Sequence, residues 1–357
     1  MLPPKMKAAM VMGANDVQIA DVDTPKIVAP TDAIVRVTLT TICTSDVHVL
    51  HGKSVPLMKP FIMGHEFCGE VVELGSEVKD FKVGDRCLVM PAYYCGECDA
   101  CKRGSYSICK NGGCLGMCFG PDGCFAEYAR VQFADRMLVK IPDGLTEKDV
   151  IMDCDVLTTG RFGVANGGVK EGDIVAEYGV GPIGMAACIM AKKEFKAKTV
   201  IAIDVDESRL QTCLDQGIAD YVINSAKEDV VARVMEITNN EGVDVAVDSV
   251  GIEATINQAM DITHAFGTIS SFAVVPRPLT LDWYKVQTKN LTLKSGTQYF
   301  EGRDSIMQMI KDGELDVNWM ITHSSPLNDI AHAFEVFSKH EDGCIKYVLT
   351  PYDHSRD

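Results

Sequence analysis

The chain has no apolar run approaching the ~18 residues needed to cross a bilayer, and its first residues, MLPPKMKAAM, lack the apolar core of a secretory leader. No membrane partner is expected, and the sequence reads as cytoplasmic. Basic residues are scarce as well: 34 Lys and Arg stand against 50 Asp and Glu, a formal charge of -16. Nucleic acids are held by clustered Lys and Arg, and no such cluster occurs, so the composition argues against a nucleic-acid partner. There is also no internal repeat and no low-complexity segment. What is left is a folded globular chain whose 357 residues suffice for about two domains, each with its own core.

Cysteine, by contrast, is abundant, with 14 residues. Disulfide frameworks belong to small secreted chains, whereas in a reducing compartment thiols serve as metal ligands or small core residues. Four of them, Cys95, Cys98, Cys101 and Cys109, follow the spacing C-x2-C-x2-C-x7-C. Such short steps let successive thiolates reach one ion about 2.3 Å away, and four thiolates close a tetrahedral zinc site with no position open for substrate. The run therefore reads as a structural zinc lobe, and the chemistry must lie elsewhere.

The pattern changes along the chain. Up to about residue 155, short β-branched runs such as AIVRVTLTTIC, GEVVELG and DRCLVMP alternate with Gly and Pro turns, as in an all-β region with long loops. From about Asp173, short apolar strands (IVAEYG, TVIAID, YVIN, VDVAVDSVG, TISSF, LTLKSG) alternate with helical stretches such as 183–195 and 207–216. That alternation implies a parallel sheet with right-handed crossovers. Beyond about residue 300 come the helical SIMQMIKDG and LNDIAHAFEVFSKH and the strand-like CIKYVLT. This tail either caps the sheet domain or returns to the first one; composition does not decide.

Gly179, Gly181 and Gly184 form a GxGxxG turn between a strand and a helix, with Pro182 suited to the first helical turn. Such glycines let a pyrophosphate approach the helix N-terminus, whose free N–H groups and dipole favour an anion. Asp204 ends the next strand, 20 residues beyond Gly184, where a carboxylate accepts bonds from ribose hydroxyls and repels a 2′-phosphate. NAD(H) is therefore expected rather than NADP, and Arg209, one turn into the following helix, can also reach the ribose. A second set of reactive side chains, Cys43, Ser45, His48, His65 and Glu66, lies in CTSDVH and GHE. They offer a thiolate, an imidazole and a carboxylate that the lobe does not use, and on their own they define no reaction.

With CTSDVH, GHEFCGEVVELG, FKVGDRCLV, the four-cysteine lobe, GCFAEY, DVLTTG and GVGPIG in order, the chain resembles the zinc-dependent medium-chain alcohol dehydrogenases from about Met6 to its C-terminus. The resemblance implies an α/β protein: a GroES-like β-rich catalytic domain (1–158, lobe about 92–113), a Rossmann doubly wound parallel-sheet domain (159–299), and a return of 300–357 to the catalytic domain. It also implies two zinc ions per chain. The catalytic one would be held by Cys43, His65 and Asp155, with Asp155 favoured over adjacent Cys154 by alignment on the following Leu-Thr-Thr-Gly. Three protein ligands leave a fourth position for a substrate oxygen.

In the same way the resemblance places Ser45 beside the reacting oxygen and His48 at the solvent end of a proton relay, a role suited to an imidazole with an ordinary pKa of about 6.5. Glu66 would exchange with the open zinc position or support the ligands. Thr159 and Ile183 would pack near the nicotinamide, Val250 and Gly251 along the dinucleotide crevice, Lys346 near the pyrophosphate, and Tyr93 and Cys114 in the substrate pocket. His51 reads as a merely exposed histidine, and Cys114, Cys118 and Cys124 as loosely spaced thiols rather than a third metal site. The implied activity is oxidation of a secondary alcohol to a ketone, or the reverse, by hydride transfer with nicotinamide, in a homodimer or homotetramer. Polyol, hydroxysteroid and threonine oxidation share the scaffold. Secondary alcohol dehydrogenases with this Asp ligand tend to lack the lobe and to prefer NADP, and here the sequence departs from them. A non-catalytic zinc or redox sensor is the competing class, and it has no use for the relay residues.

Overall fold

The β-branched run Ala33–Thr41, buried along nearly its whole length, forms the strand around which the first unit is built. It is seen in a computed structural model that describes residues 2–52, 60–117, 120–275, 277–297 and 302–351. The chain folds as two units, Met1–Asp155 with Ser305–Asp357, and Val156–Asp304.

In the first unit a seven-stranded sheet runs in the order Leu138–Lys140, Arg86–Val89, Glu66–Leu74, Ala33–Thr41, Lys346–Thr350, Ile321–Pro326, and Tyr128–Val131 also pairs with Ala33–Thr41. Its register joins segments distant in sequence. Thr41 lies opposite Glu66 on one side and opposite Val348 on the other. Cys43, just past the end of one strand, is thereby brought to His65, just before the start of the next. The tail strand, some 300 residues away in sequence, is laid along the other side of Ala33–Thr41. A smaller sheet orders Asp16–Asp23, Lys5–Gly13 and Phe61–Ile62, and the short pair Ala92–Tyr93 with Gly113–Cys114 flanks the cysteine run.

In the second unit six parallel strands stand in the order Tyr221–Asn224, Thr199–Asp204, Ile174–Tyr178, Val243–Asp248, Thr263–Ser271, Thr292–Ser295. Numbered along the chain this is 3-2-1-4-5-6, the doubly wound dinucleotide order with its switch point beside the first strand. The apolar core packs on these strands from Ala176, Tyr178, Ile201, Ile223 and Ala246 to Met260 and Ile269. The unit begins at Val156, a few residues earlier than the sequence placed it. Helix Val156–Gly167 packs on helix Pro182–Lys193 so closely that a Cβ on Gly160 would lie 2.5 Å from the Ala187 nitrogen. Among the described residues no helix is long and apolar enough to cross a membrane.

Candidate metal centres and dinucleotide cradle

The four lobe thiols converge. Cys98 Sγ lies 3.6 Å from Cys101 Sγ and 3.8 Å from Cys109 Sγ, and Cys109 Sγ lies 3.5 Å from Cys95 Sγ. Thiolates at the corners of a tetrahedron about 2.3 Å from a central zinc stand roughly 3.8 Å apart, whereas a disulfide requires about 2.05 Å. The spacing fits the ion and not a bridge. Backbone N–H groups of Cys101 and Lys110 point at Cys98 and pull its thiol down to about 6, which favours the ligating thiolate.

A second group in the same unit gathers Cys43, His65, Glu66 and Asp155, with one ligand atom of each within 4.8 Å of the others. His65 Nε2 is 3.6 Å and Cys43 Sγ 3.9 Å from Asp155 Oδ2, separations that suit N, S and O donors on one tetrahedral zinc. The electrostatics agree. Burial, then the Glu66 charge, push the Cys43 thiol up, and burial raises the Glu66 carboxyl to about 6 against the pull of Lys346. Anionic donors packed this way are a set that a dication satisfies. Cys154 does not join them: its thiol donates to the Ile151 carbonyl at 2.9 Å.

Sequence reasoning gave no role to Asp46. Fully buried in helix Thr44–Leu50, it accepts from the Cys43 N–H at 2.9 Å and faces His65 Nδ1 at 3.2 Å. It thereby orients Nε2 toward the donor cluster and fixes the Cys43 backbone. The signal was available, since a carboxylate three residues after a strand-end cysteine is placed to cap the helix between them.

Lys346 corrects an expectation. Its side chain is 1% exposed, and its ammonium binds Glu66 Oε2 at 2.7 Å and the Ile42 carbonyl at 2.9 Å. A cation consumed in this way is not available to a pyrophosphate; it neutralises the carboxylate next to the zinc ligands instead. The tail-strand register, which sets Val348 opposite Thr41, is the physical reason.

Ser45 Oγ lies 3.4 Å from His65 Nε2, at the mouth of the cluster, and His48 is exposed on the same helix. Residues three apart share a helix face. His51 is not merely exposed: it pairs with the Asn15 side chain. Cys114 is half-buried, its thiol pushed up to about 11 mainly by burial, and it pairs with Ala92 beside Tyr93. Cys124 is buried against the Thr40 hydroxyl, while Cys118 lies outside the described residues.

In the second unit the glycine turn follows strand Ile174–Tyr178. A Cβ on Gly184 would come 1.7 Å from the Gly179 carbonyl oxygen, so the turn closes only on glycine. Gly181 differs: among the described residues only Arg209 Nη1, at 3.8 Å, lies near its missing Cβ, and none of them fills this space at the N-terminus of helix Pro182–Lys193. That is the cradle a pyrophosphate requires, with Arg209 at its edge. Asp204 reaches the turn, one oxygen accepting from the Val180 N–H at 2.7 Å and the other from Val205 and Asp206. Val250 and Gly251 lie on the neighbouring strand end, their N–H groups directed to Asp248. Thr159 and Ile183 are half-buried on helices Val156–Gly167 and Pro182–Lys193.

The chain is similar to known proteins over nearly its whole length. Residues 29–143 match the alcohol dehydrogenase GroES-like domain and residues 182–312 the zinc-binding dehydrogenase domain. An alcohol dehydrogenase of Cupriavidus necator is 35% identical over 97% of this chain and 99% of its own length. An L-threonine 3-dehydrogenase of Escherichia fergusonii is 32% identical over 97% and 99%. The solved zinc dependent alcohol dehydrogenase 2 from Streptococcus pneumonia superposes with a TM-score of 0.90 at 34% identity, covering 97% of this chain and 98% of that one. The chain thus belongs to the zinc-type alcohol dehydrogenases of the medium-chain dehydrogenase/reductase superfamily, oxidoreductases that act on CH–OH donors.

Proposed function

We propose that the protein oxidises a secondary alcohol to a ketone, or runs the reverse reaction, with NAD(H), its catalytic zinc held by Cys43, His65 and Asp155 and its structural zinc by Cys95, Cys98, Cys101 and Cys109. The observation that carries the cofactor choice is Asp204. Its carboxylate stands 2.7 Å from the glycine turn, where it accepts ribose hydroxyls and repels a 2′-phosphate. When bound, the zinc polarises the alcohol oxygen as a Lewis acid and the nicotinamide takes up the two electrons released at the carbinol carbon. The chain's own residues supply the rest. Ser45, 3.4 Å from a zinc ligand, would take up the proton leaving the substrate oxygen while handing on its own hydroxyl proton, and His48, one turn along the same helix and exposed, would take up the relayed proton and release one to water. Asp46 keeps His65 in the tautomer whose Nε2 is free to ligate.

Threonine, polyol and hydroxysteroid oxidation remain within this chemistry, since each is oxidation at a secondary carbinol. Strand Thr292–Ser295 ends the sheet and pairs only with Thr263–Ser271 among the described residues, so its open edge is the surface through which two copies would join into a dimer or tetramer. A thiol-rich chain with zinc ligands among its cysteines suits the reducing cytoplasm. The test is NADH formation, with NADP in parallel, across secondary alcohols, polyols, hydroxysteroids and L-threonine, and NADH consumption with their ketones. Turnover with NAD and a secondary carbinol is expected. Equal use of NADP, or turnover restricted to primary alcohols, contradicts the proposal.

A further inference from the structure

With a zinc ion bound, the lobe would carry negative charge that its ligands leave uncompensated. Four thiolates around a divalent ion sum to about −2, and exposed Glu97 and Asp99 stand in the same run. Lys102, Arg103 and Lys110 are exposed too, where water and salt screen them. Among the described residues a half-buried cation is directed at the lobe from another element.

That cation is Arg136, in the short helix Ala134–Met137, and the turn that carries it is fixed on several sides. Phe133, just before it, holds a left-handed φ of 49°, a costly backbone for an aromatic residue, and stacks on Tyr93 at 6.4 Å between ring centres. Tyr93 lies two residues before Cys95. Asp135 accepts from the Lys79 and Asp80 N–H groups, the Ala134 N–H donates to the Thr31 carbonyl, and the Met90 N–H donates to the Met137 carbonyl. The guanidinium lies directly on Gly96: an added Cβ there would be 2.2 Å from Arg136 Nε and 2.7 Å from Cζ and Nη2. Gly96 itself takes a φ of 76° between Cys95 and Cys98, and its N–H is directed at the Cys101 sulfur.

We propose that Arg136 is a positioning residue for the four-thiolate zinc site: held against Gly96, its guanidinium offsets the negative charge of the site and keeps the Cys95–Cys98 turn in ligating form. The inference rests on the reading of Cys95, Cys98, Cys101 and Cys109 as zinc ligands. Arginine suits the place because it is always charged and weakly hydrated.

The experiment monitors zinc transfer from the zinc-loaded full chain to a chromophoric chelator, at low and high salt, in wild type, Arg136→Met and Arg136→Lys. Arg136→Met keeps much of the stem and removes the charge. It should release the lobe zinc about tenfold faster than wild type, the scale of losses when a group supporting a metal ligand is removed. Arg136→Lys should recover much of the difference, the gap should narrow in high salt, and the second zinc should leave at its wild-type rate. Equal release from Arg136→Met and wild type, or from Arg136→Met and Arg136→Lys at every salt, overturns the proposal. The double variant Cys98→Ser/Cys101→Ser keeps the two readings apart: if it binds as much zinc as wild type, the lobe is not a metal site and the underlying reading fails first.

Discussion

Replacing Glu177 with Gln should change how stability depends on pH. Glu177 sits on the central strand Ile174–Tyr178, is 1% exposed, and neither carboxyl oxygen has a hydrogen-bond partner among the described residues. Burial holds its carboxyl well above the ordinary 4.5, opposed by the nearby Ser249 hydroxyl and reinforced by the Asp248 carboxylate. Below 4.5 the group is protonated in folded and unfolded chains alike, and its contribution is fully present. As pH rises past that point only the unfolded chain gives up its proton, so stability falls until the raised folded pKa is passed and then levels off. One such group imposes a slope of about 1.4 kcal/mol per pH unit, or at most about 3 kcal/mol between 4.5 and neutrality. The assay is urea unfolding of zinc-loaded wild type and Glu177→Gln between roughly pH 5 and pH 8, because the glutamine carries only a pH-independent desolvation cost. The variant should gain on wild type as pH rises from 5, until the raised folded pKa is passed. A difference that stays flat over this range refutes the reasoning.

Lys346 and Glu66 are both buried and 2.7 Å apart, so Lys346→Met should cost about 3–5 kcal/mol in chemical denaturation by stranding a buried carboxylate. Adding Glu66→Gln should return most of that loss, and a double variant as weak as the single would show that the pair is not the cause. Gly181 and Gly184 should separate ligand from fold. Gly181→Ala fits the backbone and open space, so thermal stability should hold while NADH affinity by fluorescence titration drops about tenfold or more; Gly184→Ala should unfold or displace the turn itself. Unchanged NADH affinity in Gly181→Ala would remove the pyrophosphate from that cradle.

Local spacing made much of this readable in advance. The cysteine run, the glycine turn and Asp204 announce themselves because each is a short pattern whose geometry is fixed by the neighbouring backbone. Helices expected over 183–195 and 207–216 form as Pro182–Lys193 and Glu207–Asp215, and CIKYVLT forms the strand Lys346–Thr350. The features that escaped the sequence depend on partners far along the chain. Lys346 meets Glu66 across 280 positions, through a strand register that composition cannot reveal. The burial of Glu177 comes from its place on the central strand of the parallel sheet, and the contact of Arg136 with Gly96 from the left-handed turn at Phe133. Asp46 was legible as a helix cap, but its approach to His65 needed the pairing of Thr41 with Glu66.

The central claim is that the reactive zinc is held by ligands scattered over Cys43, His65 and Asp155, apart from the lobe. Metal analysis of purified Asp155→Ala and Cys154→Ala, beside wild type with its two donor groups, tests it most directly. Wild type and Cys154→Ala should each hold about two zinc ions per chain and turn over, while Asp155→Ala should keep about one and lose activity. Equal zinc in the two variants, or loss from Cys154→Ala instead, would contradict the assignment.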